Sequence, residues 1–128
     1  MKFLSLAPML LLLAITADKC KTKENKDGSG PLKARLETKA LCSNYTFTLT
    51  GGSLDTTLVN ASWTDETTGK TFVNAFGIAN PCEFPATINA GDEFYFVVDG
   101  PAKKDCAVCM AYYPTPSRKL NIKVIPKP

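Results

Sequence analysis

The chain has 128 residues, 45% of them hydrophobic and 21% charged, the balance of an ordinary globular domain, and its length suggests one domain. Its net charge is only +3, and from Leu32 onward ten Lys/Arg stand against nine Asp/Glu, far from the basic stripe that nucleic-acid binding draws on. It has no histidine, which removes His-based triads, most catalytic zinc sites and the usual general base near neutral pH.

Residues 1–17 carry one lysine and then an apolar run from Phe3 to Ile15, interrupted by Ser5 and Pro8. A membrane-spanning helix needs about 20 apolar residues. This run is too short, and it reads as a secretory signal peptide with cleavage after Ala17. The stretch that follows alternates charges, contains Gly28-Ser29-Gly30 and has almost nothing to bury, so 18–31 is expected to be a disordered tether. Cys20 lies where exported lipoproteins carry their lipidated cysteine. Those signals place small residues just before it, and this chain has Asp18 and Lys19. The sequence therefore leaves open both lipidation of Cys20 and a free or intermolecular thiol.

From Leu32 to the C-terminus the dominant period is two. Ala34, Leu36 and Ala40 alternate with charged residues, then Tyr45, Phe47 and Leu49 alternate with threonines. The apolar set moves from even to odd positions, so the chain must be re-aimed between Cys42 and Asn44. Gly51-Gly52-Ser53 ends the second strand. Val59, Ala61 and Trp63 begin a third, and Asp65 to Gly69 reads as a hairpin loop leading into a return strand over 70–78. Asn80-Pro81 and Pro85 mark a loop around Cys82. Phe94, Phe96 and Val98 are opposed by Tyr95 and Val97, the two-sided apolarity of a central strand. Residues 106–113 are again β-like, ended by Pro114 and Pro116, and a last strand runs through Leu120, Ile122 and Val124. The expectation is an all-β domain over 32–128, a six- to seven-stranded antiparallel sandwich or OB-like barrel.

Five cysteines occur, Cys20 in the tether and Cys42, Cys82, Cys106 and Cys109 in the domain. Four in an exported domain suggest two disulfides, each stabilising by about 2–4 kcal/mol. If Cys106-Ala107-Val108-Cys109 is a strand, its two sulfurs lie about 10 Å apart on opposite faces. They would then pair one each with Cys42 and Cys82. If it is a loop, Cys106 and Cys109 form an exchangeable redox couple, or join Met110 in a soft-metal site for copper(I). The spacing lacks the second C-x-x-C of a zinc ribbon, so no cofactor or metal is expected.

Three further features bear on function. Asp65-Glu66 and Asp92-Glu93 are sequence neighbours at turns, expected to point apart into solvent rather than converge for acid–base work. Tyr112-Tyr113 beside Pro114 and Pro116 form a candidate protein- or carbohydrate-binding surface, with the alternative that one tyrosine enters the core. Asn44-Tyr45-Thr46 and Asn60-Ala61-Ser62 match the N-glycosylation pattern.

The leader, Cys20 with its lysine-rich tether, Gly91-Asp92-Glu93-Phe94-Tyr95-Phe96 and Cys106-Ala107-Val108-Cys109 together resemble small exported all-β bacterial proteins, many of them lipoproteins. The resemblance implies an extracytoplasmic place: secreted, periplasmic, or held to a membrane only through a lipid. It carries over no activity and no catalytic residue. The functional expectation is a non-enzymatic binding module of the cell envelope, with a thiol-redox or soft-metal protein built on Cys106 and Cys109 as the alternative.

Overall fold

The alternation seen in β1 (Leu32–Lys39) becomes a two-faced strand, with Leu32, Ala34 and Leu36 buried and Lys33 and Arg35 turned outward. The structure is a computed structural model and describes residues 30–101 and 106–128. The expected signal peptide, most of the tether and Cys20 lie outside the described residues.

The shift of apolar phase before β2 (Tyr45–Gly51) is made in two places. Register with β2 slips between Leu36 and Thr38, a bulge that leaves Glu37 to accept a hydrogen bond from Thr48 Oγ1 at 2.8 Å. A 3-10 turn over Leu41–Ser43 then places Cys42 and Ser43 in the left-handed region, at φ 59° and 60°. Few non-glycine residues adopt that conformation, and two in succession reverse the chain sharply. Phe47 consequently faces the same interior as Leu36, its cross-strand partner.

β3 (Asn60–Thr64) and β4 (Thr71–Ile78) form the expected hairpin around Asp65. Its register skips Asn74, which sits at φ 51°. Beyond that point Ala75, Phe76, Gly77 and Ile78 are all buried, so the strand's outer half serves the hairpin and its inner half serves the core. β5 (Glu93–Val98) lies between β1 and β7 (Ile122–Ile125), an interior position as its two-sided apolarity implies. Six of the seven strands lie in the order β3-β4-β2-β1-β5-β7, antiparallel along that path, the seventh joins at the margin of β4, and the sheet is not closed. The interior is dominated by phenylalanines. Phe47 stacks on Phe76 with ring centroids 5.3 Å apart and meets Phe94 edge-on at 5.7 Å, and Phe76 touches Phe96 at 5.7 Å. Offset and edge-on pairs of this kind add to what area burial alone supplies.

The C-terminal strand expected from Leu120 to Val124 is broken. Lys119–Leu120 (β6) pairs in parallel with Gly77 and Ile78 of β4, and after Asn121 the chain crosses to β5 as β7. The break has a plain cause: the segment has two partners on opposite margins of an open sheet. Asn80 secures the crossing. Its Oδ1 accepts from Ile122 N at 2.9 Å, and its Nδ2 donates to Ile122 O at 2.8 Å and to Glu83 Oε2 at 3.0 Å. The side chain thus stands in for a main-chain partner at a residue that is 1% exposed.

A second expectation is also corrected. Residues 106–116 form no strand. Pro114 and Pro116 remove two N–H donors at alternate positions, so no regular ladder can form there. Side chains hold the segment instead. Asn60 Nδ2 donates to Ser117 Oγ at 3.1 Å, and Asn60 Oδ1 accepts from Arg118 N at 3.0 Å. Pro114 and Pro116 are buried. A Cβ on Gly77 would lie 3.2 Å from the Lys119 side chain, so the chain passes close to β4 there.

Asn80→Ala strands the N–H and C=O of a buried residue, and each unmet group costs about 1–3 kcal/mol. The expected loss is about 2–4 kcal/mol in urea unfolding. A loss below the range of a surface substitution would show that the amide does not hold the crossing.

Candidate functional site

Two of the 3-10 turns, Leu41–Ser43 and Pro81–Glu83, carry one cysteine each, and both cysteines are bonded to residues 106–109. Cys42, in the Leu41–Ser43 turn, pairs with Cys109, with Cα atoms 4.9 Å apart. Cys82, in the Pro81–Glu83 turn, pairs with Cys106, with Cα atoms 5.6 Å apart. The expected scheme of one bridge each to Cys42 and Cys82 is therefore present, although the segment between Cys106 and Cys109 is irregular rather than extended in a sheet. Neither cysteine bonds to the other, and neither is a free ligand beside Met110. Among the described residues no group of three or more Cys, Asp or Glu could hold a metal.

Asn44 adds a third attachment. Its Nδ2 donates to Leu41 O and to Ala111 O, each at 2.8 Å, joining the turn at Cys42 to the segment beyond Cys109. Between and beyond these attachments the side chains face outward. Met110 is 97% exposed, Tyr112 82% and Val108 46%, and Leu41 of the adjoining turn is 76% exposed. Val108, Met110 and Tyr112 line an open cleft of about 520 Å³ together with Ile78, Ala79 and Pro81. The turns and bridges thus present large apolar side chains to solvent on a pinned backbone.

The two neighbouring tyrosines divide. Tyr112 lies on this exposed face. Tyr113 is half-buried, with its hydroxyl donating to Asp65 Oδ2 at 2.9 Å and standing 2.8 Å from Thr67 Oγ1. Asp65 Oδ1 accepts from Thr67 N at 2.8 Å and from Thr67 Oγ1 at 2.6 Å. Asp65 is therefore a buried anchor, 1% exposed, and not the solvent-facing turn residue that its neighbour Glu66 is. Burial raises its pKa, but the hydrogen bonds from Thr67, Tyr113 and the main chain together outweigh that and hold the carboxyl below the usual aspartate range. Its lone pairs are spent on structure.

The remaining acidic pair does not converge either. Asp92 Oδ2 caps Asn89 N at 2.8 Å. Glu93 takes Lys33 at 2.8 Å and Arg35 at 2.6 Å on the outer face of the sheet, contacts that hold its carboxyl low. Both glycosylation-pattern asparagines have engaged amides, Asn44 on two carbonyls and Asn60 on Ser117 and Arg118. Sequence reasoning missed Asn80, the cleft and the burial of Asp65. Of these, only Asp65 left a trace, since Asp-x-Thr is a pattern that closes a turn on itself.

The Asp65 shift has a sign. A carboxyl whose folded pKa lies below its unfolded value adds stability above the unfolded pKa, about pH 4, and loses it as pH falls through the folded pKa. Asp65→Asn should therefore be less stable than the parent at pH 7, with the gap narrowing below about pH 4. Urea unfolding of both proteins across that range reads the difference. A gap that stays constant with pH would contradict the assignment.

Comparison of the chain with protein-family models, with curated proteins and with solved structures found no match.

Proposed function

We propose that this disulfide-stabilised β-domain is an extracytoplasmic binding module, without enzymatic activity, that meets a protein or carbohydrate of the cell envelope through the loop around Met110 and Tyr112. The observation that carries the reading is the combination of rigidity and exposure in that loop. Two bridges and the Asn44 amide fix a segment that has no ladder of its own, while Met110 and Tyr112 stand almost wholly in solvent. Exposed apolar side chains on a fixed backbone lose little entropy on binding, and aromatic residues of this kind recur as interface anchors. Their adjacency to a cleft gives a ligand a concave wall as well as a flat face.

Support for the compartment comes from the bridges, which persist where thiols are oxidised, and from the leader read in the sequence. Support for a non-enzymatic role comes from Asp65, the one buried carboxylate among the described residues, whose oxygens are engaged by Thr67 and Tyr113. The lone aromatic ring of Tyr112, open on its face, suits stacking on a sugar or packing on an apolar peptide side chain.

The test uses the mature protein and a double variant, Met110→Ser with Tyr112→Ser, against a control, Val73→Ser, at an exposed position of β4. Binding is titrated on arrays of envelope polysaccharides and on isolated envelope protein. The expected result is saturable binding that the double variant weakens about tenfold or more, with the control unchanged and all three equally stable to urea. Equal binding by the double variant, or no saturable binding to either class, would sink the reading.

A further inference from the structure

We propose that Cys106 and Cys109 form a latent exchange couple: a thiol that opens the Cys42–Cys109 bridge frees Cys109 to displace Cys82 from Cys106, leaving a local Cys106–Cys109 disulfide. This step is independent of the binding reading, because it needs no partner.

Three observations support it. The first is access. Cys106 and Cys109 are both exposed, in a segment without helix or strand. The second is reach. Extended in a sheet, cysteines three apart lie about 10 Å from each other, too far for a bridge, whereas in an irregular segment they can turn to within the roughly 7 Å a disulfide allows. Native bonding keeps them apart only by giving each a different partner. Once Cys109 is free, it sits three residues from Cys106 in the same irregular segment, so its effective concentration at the Cys82–Cys106 bridge is high.

The third observation sets the order. Cys42 and the following Ser43 are both held in the left-handed region, whereas Cys82 is not among the residues with positive φ. Such conformations cost non-glycine residues free energy and persist where the surroundings impose them. Opening Cys42–Cys109 removes one of the constraints that impose it, so this bridge is the first to yield.

The chemistry balances. Two monothiols reduce Cys42–Cys109, becoming one disulfide and leaving thiols on Cys42 and Cys109. The Cys109 thiolate attacks Cys106 Sγ. The Cys106–Cys109 bond forms, the Cys82–Cys106 bond breaks, and Cys82 leaves as a thiolate that takes up a proton. The loop is then released from both turns in two steps, while one disulfide remains in the protein.

Tryptic peptide mapping reads the outcome directly, because Cys106 and Cys109 share one peptide, residues 105–118, while Cys42 and Cys82 fall in two others, 40–70 and 71–103. The native chain gives all three joined. The full-length chain is treated with limiting glutathione, quenched with an alkylating agent at intervals, and digested. The expected product is peptide 105–118 with an internal bridge, and alkylated Cys42 and Cys82. Two results overturn the proposal: Cys109 alkylated while Cys106 stays on Cys82, or the Cys82–Cys106 bridge opening while Cys42–Cys109 persists. Bridges that survive until the domain unfolds overturn it too. A Cys42→Ser chain, which leaves Cys109 unpaired from the start, should show the internal bridge with no reductant added. Should that variant fail to fold, the time course of the parent chain decides alone.

Discussion

An open sheet has two margins, and in this domain one short stretch of chain must serve both. Leu120 is bound to β4 and Ile122 to β5, with a single residue between them. The main chain of β4 ends before it can satisfy Ile122, and the Asn80 amide completes the pairing in its place. Without it, the buried N–H and C=O of Ile122 would both lose the partner that Asn80 gives them.

Much of this architecture could be read from residue order because it rests on local rules. Period-two burial in β1 follows directly from the pleat, and the change of phase before Tyr45 required a reversal that two left-handed residues supply. The Asp65 hairpin and the two-sided apolarity of β5 are likewise statements about neighbours in sequence. What could not be read depends on contacts distant along the chain. Residues 106–113 read as β-like, but Pro114 and Pro116 and the two bridges hold them in an irregular course. Asn80 reads as a loop residue beside Pro81, and its burial is decided by a partner 42 positions away. The tyrosine pair shows both cases within two residues: Tyr113 is claimed by a carboxylate 48 positions earlier, and Tyr112 is left 82% exposed.

The cysteine scheme was legible for a partly mistaken reason. Divergence of Cys106 and Cys109 was expected from extended geometry, and divergence is found, but it is imposed by the two turns that receive them. A strand would have fixed the two sulfurs through its own backbone. An irregular segment leaves their separation to the bridges themselves, and that difference turns a pair of staples into a potential reactive couple.

The bridges are also nested: Cys82–Cys106 lies wholly within the span of Cys42–Cys109. Where such a chain enters an oxidising compartment N-terminus first, Cys42 and Cys82 meet an oxidant before either of their proper partners has arrived. The earliest bond the four can make is therefore a wrong one, joining the two residues that the finished domain keeps separate. Maturation then calls for delay or correction, by holding thiols reduced until the last quarter of the chain is available or by an isomerase that reshuffles the premature crosslink.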